Sequence, residues 1–299
     1  MPHSPARWPA LALVSVLAAC AGPAVSPTTS VDPSRSTLPA PSAESTAPTA
    51  SSSPQATNLV AIGDRSLWLQ CTGKGDMTVV LESGLGGDHR TWEKVQPELA
   101  PSVRVCVYDR AGIADSDPVP GTRTAADAVE DLNALLGTAG IEAPYVLVGF
   151  SFGGAIAQLY AATHPDDIAG LVLVESNHPL EVEQFEEHLT PAQIEEDRAA
   201  MLDNPEQMDI LVSFEQLQAA GSLPNVPLVV VTAGIPEGWP PGWDAETFDA
   251  LRAAQQADLA SFTEHGSQLV AEGSAHHVPS QEPETIIAAI EQVLDSLAD

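Results

Sequence analysis

The sequence predicts an α/β fold in which a mostly parallel central sheet is covered by helices on both faces. Two observations support this prediction. Short runs of apolar and β-branched residues alternate along the chain with longer segments that are apolar at helical spacing. The short runs are apolar at nearly every position, which is typical of strands buried on both faces of a parallel sheet. With 299 residues and 44% hydrophobic content, the chain is long enough to bury one large core.

The alternation starts near residue 59 and continues to the C-terminus. Strands are predicted at residues 67–71, 79–82, 103–108, 145–148, 170–174, 228–232 and 268–271, and helices at 125–136, 154–163, 245–262 and 284–297. The first two strands are separated by a Gly-Lys-Gly-Asp turn at 73–76. This turn predicts a hairpin, so we expect the sheet to begin antiparallel.

One long segment interrupts the alternation. Residues from about 177 to 225 contain no strand pattern and read as helices, with ten acids against the single base Arg198 between Glu181 and Asp209. An insertion of this length between two strands of a sheet usually carries function. We therefore expect a helical lid over the ligand crevice.

The first 57 residues are expected to lie outside the folded domain at 58–299. Residues 1–20 combine a basic start at Arg7 with an apolar stretch too short to span a bilayer, which predicts a secretion signal. Residues 21–57 are rich in Pro, Ser, Thr and Ala and predict a disordered tether.

The formal net charge of −30 disfavours nucleic acid as a partner, because phosphate binding needs a basic face.

A G-x-S-x-G sequence at 149–153 lies between a predicted strand and a predicted helix. In this context it predicts a nucleophile elbow, a strained turn that exposes the hydroxyl of Ser151 above the sheet edge. The N–H of Phe152, at the start of the helix, is expected to point at the same spot. A serine hydroxyl is a weak nucleophile and needs a neighbouring base, so a histidine should lie close by.

From about residue 58 onward the chain resembles α/β-hydrolase-fold serine hydrolases of the esterase type. The resemblance rests on the elbow, on the Gly-rich stretch after the strand at 79–82, on the Tyr-Asp-Arg-Ala-Gly sequence at 108–112, and on the C-terminal histidine loop. It implies a triad in the chain order nucleophile, acid, histidine. When the C-terminal loop is aligned with the family's usual ending on Pro283 and Glu284, His276 falls at the position of the base. His277 is the competitor. Asp109 and Arg110 are expected to make structural hydrogen bonds near the elbow rather than to take part in the chemistry.

The triad acid is the least defined member of the predicted site. In many relatives it follows the strand at 228–232, but here that strand continues without an Asp in the expected place. Other members of the family carry the carboxylate at the end of the preceding strand, which here ends in Glu175. We therefore expect Glu175 to be the acid, with Asp244 and Glu237 as alternatives.

The hydrolase resemblance also implies an oxyanion hole, and a separate resemblance at the N-terminus implies a lipid anchor. By the family pattern, the residue after Gly84 donates the second N–H, so the oxyanion is expected between the N–H groups of Leu85 and Phe152. Ser83 stands where the family often has His, but the donors are backbone groups. Residues 17–20 resemble the lipobox of bacterial lipoproteins, which implies lipidation at Cys20, export and membrane attachment through the lipid alone. The alternative is an ordinary signal peptide, cut near Ala19 or Ala21.

Two further expectations concern the remaining cysteines and the cofactor. In an exported protein Cys71 and Cys106 are expected to form a disulfide, with two buried free thiols as the alternative. No metal-binding or nucleotide-binding motif occurs, so neither metal nor cofactor is expected. The resemblance implies a hydrolase that cleaves a small-molecule ester or similar acyl compound. Its rivals are amide, lactone or C–C bond hydrolysis, or a non-catalytic binding lipoprotein. The oligomeric state stays open.

Overall fold

The computed structural model describes residues 58–236 and 238–298. Cys20, the secretion signal, the tether and Glu237 lie outside these residues, so lipidation and export stay predictions. Within the described residues no helix is both long enough and apolar enough to cross a bilayer.

Eight strands form one sheet, with β1 and β2 antiparallel at one end and β3 to β8 parallel. Their order across the sheet is β1-β2-β4-β3-β5-β6-β7-β8. The strands are β1 (Leu59–Ala61), β2 (Ser66–Thr72), β3 (Thr78–Glu82), β4 (Arg104–Tyr108), β5 (Tyr145–Phe150), β6 (Ile168–Val174), β7 (Leu228–Ala233) and β8 (Gly266–Ala271). The predicted α/β architecture is therefore confirmed.

Helices cover both faces of the sheet. They are α1 (Gln96–Leu99), α2 (Ala125–Thr138), α3 (Phe152–Thr163), α4 (Glu181–Glu186), α5 (Pro191–Leu202), α6 (Ile210–Ala219), α7 (Ala245–Leu259), α8 (Val278–Gln281) and α9 (Pro283–Ala298), with short 3₁₀ turns at His89–Trp92 and Pro165–Asp167. Helices α2, α3 and α6 share one apolar core with the sheet, whereas α1 and α9 share the core on the opposite face. Neighbouring strand residues such as Val79 and Val80 belong to opposite cores, because side chains alternate across a strand.

The predicted hairpin between β2 and β3 is wrong. Strand β2 pairs with β1 and with β4, and β3 pairs with β4 and β5. The turn at 73–76 therefore connects two strands, β2 and β3, that are separated in the sheet by β4. The antiparallel start is provided by β2, which runs antiparallel to both β1 and β4. Strand β1 is only three residues long and is not predicted from the sequence.

Two features of the fold bear on the predicted chemistry. The Sγ atoms of Cys71 and Cys106 form a disulfide between registered positions of β2 and β4. Strands β3, β5, β6, β7 and β8 run parallel, so the loops at their carboxyl ends meet at one edge of the sheet. Ligands of open α/β sheets bind at this edge. The insertion at 177–225 supplies α4, α5 and α6 between β6 and β7.

Candidate active site

Ser151 occupies the turn between β5 and α3. Its φ of 54° and ψ of −125° place a non-glycine residue in a strained left-handed conformation. Strand and helix approach so closely here that a side chain at Gly149 would lie 2.5 Å from the carbonyl oxygen of Gly153. A side chain at Gly153 would lie 2.3 Å from the carbonyl oxygen of Ser83. The two glycines therefore allow the turn, and Ser151 stays half-buried at the sheet edge.

His276 lies in the loop that follows β8 and meets the serine. Its Nε2 is 3.0 Å from Ser151 Oγ, within hydrogen-bonding distance. The ring packs against Phe150, with the ring centroids 5.1 Å apart. His277, the competing residue, has its ring centroid 6.3 Å from that of Phe150 and lines a different cavity from the one that His276 lines.

Glu175 completes this arrangement from the end of β6. Its Oε2 lies 3.4 Å from His276 Nδ1, and its Oε1 accepts a 2.7 Å hydrogen bond from the N–H of Ala233. The backbone of Glu175 is also left-handed, with a φ of 44°, and the residue is only 3% exposed. Asp244 is instead exposed at the start of α7, where it accepts a hydrogen bond from Thr247.

Arg252, on α7, was not anticipated from the sequence. Its Nε and Nη2 lie 3.2 and 3.1 Å from Glu175 Oε2, and Nη2 is also 3.1 Å from His276 Nδ1. Burial alone would raise the pKa of Glu175. The hydrogen bond with His276, the charge of Arg252 and the Ala233 N–H outweigh burial, and together they hold that pKa below its usual value.

The loop after β3 also approaches the serine. A side chain at Gly84 would lie 3.2 Å from Ser151 Cβ, so the backbone of this loop passes directly beside the nucleophile. Leu85 is 36% exposed and, with Phe150 and His277, lines a cavity of about 280 Å³. Phe152 is the first residue of α3, so its N–H belongs to the unpaired first turn of that helix.

Beneath this loop lies a buried ionic cluster formed by Glu82, Tyr108, Arg110 and Glu206. Arg110 forms ion pairs with both glutamates, and the Tyr108 hydroxyl donates to Glu82. Arg110 was expected to be scaffold. The two glutamates were not anticipated, although a charged residue that ends an apolar strand, as Glu82 does, is a usable signal.

Asp109, beside this cluster, makes a second histidine–carboxylate pair. It is fully buried and accepts from both the backbone N–H and the Nδ1 of His89, at 2.8 and 2.9 Å. One ligand atom from each of His89, Asp109 and Asp115 lies within 4.8 Å of the others, a spacing a metal ion could use. The Asp109 oxygens are already occupied, because Oδ2 also accepts from the Asp115 N–H. The pair therefore fits a turn-stabilising role.

The comparisons with known proteins agree with this architecture. The model of the alpha/beta hydrolase fold family matches residues 78–233, so the chain belongs to that family. The uncharacterised protein YqjL of Bacillus subtilis is 27% identical over 231 residues, which cover 74% of this chain and 85% of YqjL. RutD of Yersinia enterocolitica, whose name assigns it to carbamate hydrolysis, is 36% identical over 114 residues, or 37% of this chain and 41% of RutD.

Among solved structures, a thermophilic esterase from Thermogutta terrifontis superposes with a TM-score of 0.55. The superposition covers 79% of this chain and 95% of the esterase, at 21% sequence identity. At that identity the likeness supports the fold alone.

Proposed function

We propose that this protein is a serine hydrolase that cleaves a carboxylic ester or similar acyl compound through an acyl-enzyme on Ser151. The observation that carries the proposal is the 3.0 Å contact between His276 Nε2 and Ser151 Oγ, with Glu175 behind the imidazole. Nucleophile, base and orienting acid are the three parts that acyl transfer needs. Membership of a hydrolase family supports the same class of reaction.

In the proposed mechanism His276 takes the proton of Ser151 as the hydroxyl attacks the substrate carbonyl. The developing oxyanion accepts hydrogen bonds from the N–H groups of Leu85 and Phe152. Glu175 accepts the proton on Nδ1 in a hydrogen bond and so fixes the tautomer and stabilises the imidazolium. The protonated His276 then donates to the leaving alcohol, and a water activated by the same histidine releases the acyl group.

The rival chemistry is cleavage of another acyl bond on the same machinery. An amide, lactone or carbamate carbonyl would be attacked in the same way, and the RutD similarity favours keeping this alternative. A dehalogenase or epoxide hydrolase of this fold is disfavoured, because those enzymes resemble this chain but use Asp in place of Ser151. A binding protein without activity is the remaining candidate.

The proposal is tested with p-nitrophenyl esters of increasing acyl length, assayed against wild type and Ser151→Ala. We expect turnover of at least one ester and a loss of about 10⁴-fold or more in kcat in the variant, because the nucleophile is removed. Circular dichroism should give the same spectrum for both proteins. Equal turnover by wild type and Ser151→Ala would exclude Ser151 as the nucleophile.

A further inference from the structure

The loop that carries the expected oxyanion donor turns its carbonyl groups toward a buried arginine. Arg110 Nη1 donates to the carbonyl oxygen of Ser83 at 2.5 Å, and Nη2 donates to the carbonyl oxygen of Gly84 at 2.6 Å. The Gly84 carbonyl also accepts the N–H of Gly87 at 3.0 Å. Two consecutive peptide groups of this loop are therefore anchored to a single guanidinium.

This anchoring determines the direction of the Leu85 N–H. The carbonyl of Gly84 and the N–H of Leu85 belong to the same peptide group, which is planar and trans, so they point in opposite directions. When the carbonyl turns inward to Arg110, the Leu85 N–H must turn away from the interior. Leu85 itself lines the cavity that it shares with Phe150 and His277.

Arg110 is held in place by carboxylates from two different parts of the chain. Glu82 ends β3, whereas Glu206 comes from the insertion, 96 residues after Arg110. The side chains of all three residues are at most 5% exposed. Glu206 also accepts a hydrogen bond from the N–H of Gly86, in the peptide group that follows Leu85. The insertion thus holds both the arginine and the loop.

The two glutamates differ in their electrostatics. Burial raises the pKa of Glu82 above its usual value despite the charge of Arg110. Burial alone would raise the pKa of Glu206, but the charge and hydrogen bonds of Arg110 and the Gly86 N–H hold it below its usual value. Glu206 therefore stays ionised and keeps its ion pair with Arg110. The planar guanidinium of Arg110 presents several donors and so reaches two carbonyls and two carboxylates at once. The single ammonium of a lysine could not replace it.

We propose that Arg110 is the positioning residue of the oxyanion hole, and that Glu206 makes the orientation of the Leu85 N–H depend on the docking of the insertion. This inference rests on the proposed function, because it assigns a role within the same site. Arg110 does not touch the substrate. It acts through the peptide between Gly84 and Leu85.

The experiment compares Arg110→Lys and Glu206→Gln with Asp131→Asn as a matched control. Asp131 forms ion pairs with the half-buried Arg65 and the buried Arg123. It lines a small cavity with Arg110 and Glu206, but the hydrogen bonds of its carboxylate among the described residues go to Arg65 and Arg123 and not to the loop at 83–87. The readouts are kcat and KM on the ester that wild type turns over, the thermal midpoint, and the Ki of an aryl trifluoromethyl ketone. That inhibitor forms a tetrahedral oxyanion on a serine, so its affinity reports the oxyanion hole.

We expect kcat to fall by about 10- to 100-fold in Arg110→Lys and by less in Glu206→Gln, with KM within about twofold of wild type. Complete loss of one oxyanion donor costs about 10²- to 10³-fold, and a misdirected donor should cost less. The Ki should rise in step with the loss of kcat. Asp131→Asn should lower the thermal midpoint and leave kcat and Ki unchanged.

A purely structural role for Arg110 predicts a different result. Folded Arg110→Lys and Glu206→Gln would then keep the wild-type kcat and Ki, or lose no more than Asp131→Asn, and the inference would be overturned. If Arg110→Lys does not fold, Glu206→Gln alone decides, because it retains an acceptor for the Gly86 N–H. Failure of the proposed function is distinct, since Ser151→Ala would then keep full turnover.

Discussion

Two arginines flank the candidate nucleophile, and they differ in how firmly they are held. Arg110, on the oxyanion side, has a side chain only 5% exposed and bonds two carboxylates and two carbonyls. Arg252, on the histidine side, is 23% exposed and pairs with one carboxylate, Glu175. It also lines an open cavity of about 210 Å³.

The difference follows from what each arginine faces. The hydrogen bonds of Arg110 among the described residues go to two carboxylates and two carbonyls, so its guanidinium is held by four acceptor groups. Nη2 of Arg252 also lies 3.1 Å from His276 Nδ1, the nitrogen that must carry a proton in the proposed mechanism. Two donors cannot face each other, so Arg252 must turn toward Glu175 or the cavity when Nδ1 is protonated. We infer that the oxyanion side is rigid and the histidine side adjustable.

The largest effect on the histidine side is expected from Glu175→Gln. The amide keeps the volume but loses the charge that stabilises the imidazolium, so we expect kcat to fall by about 10³- to 10⁴-fold. The matched control is Asp244→Asn, which should stay within about twofold of wild type because Asp244 is exposed and its carboxylate accepts a hydrogen bond from Thr247, far from His276 in the described structure. Small and equal losses in steady-state assays of both variants would mean that neither residue is the acid.

A much smaller effect on turnover is expected from Arg252→Met. Because Ala233 still holds Glu175, kcat should change by less than about tenfold, well below the loss in Arg110→Lys. If the comparison of the two sides holds, replacing Arg110 lowers kcat more than replacing Arg252 does. A larger loss of kcat in Arg252→Met than in Arg110→Lys would reverse the comparison.

The same variant has an expected signature in stability against pH. Arg252 helps to hold the pKa of Glu175 below its usual value, so their pairing stabilises the folded state above about pH 4.3, the ordinary glutamate pKa. That stability is lost as the pH falls through the lower folded-state pKa. Urea unfolding should therefore show wild type more stable than Arg252→Met at pH 7, with the gap closing at acid pH. In a Glu175→Gln background the gap should be absent at every pH.

The parts of the site that the sequence predicts are those defined by local chemistry. Ser151 is predicted from the strand, turn and helix around it, and Glu175 is predicted from the family pattern at the end of a buried strand. Arg252 and Glu206 carry no such local signal. Each reaches the site only because a distant helix or the insertion folds back over the sheet edge. The pairing of β2 with β4 was missed for the same reason, since a turn sequence does not determine which strand becomes the neighbour.

The central claim, that Ser151 is an activated nucleophile, is tested most directly by labelling the native protein with a fluorophosphonate probe and locating the added mass by peptide mass spectrometry. We predict a single adduct on Ser151 and none on the Ser151→Ala protein, with labelling slowed strongly in a His276→Ala protein because the base is absent. A folded wild-type protein that stays unlabelled, or that carries the adduct on another residue, would contradict the account.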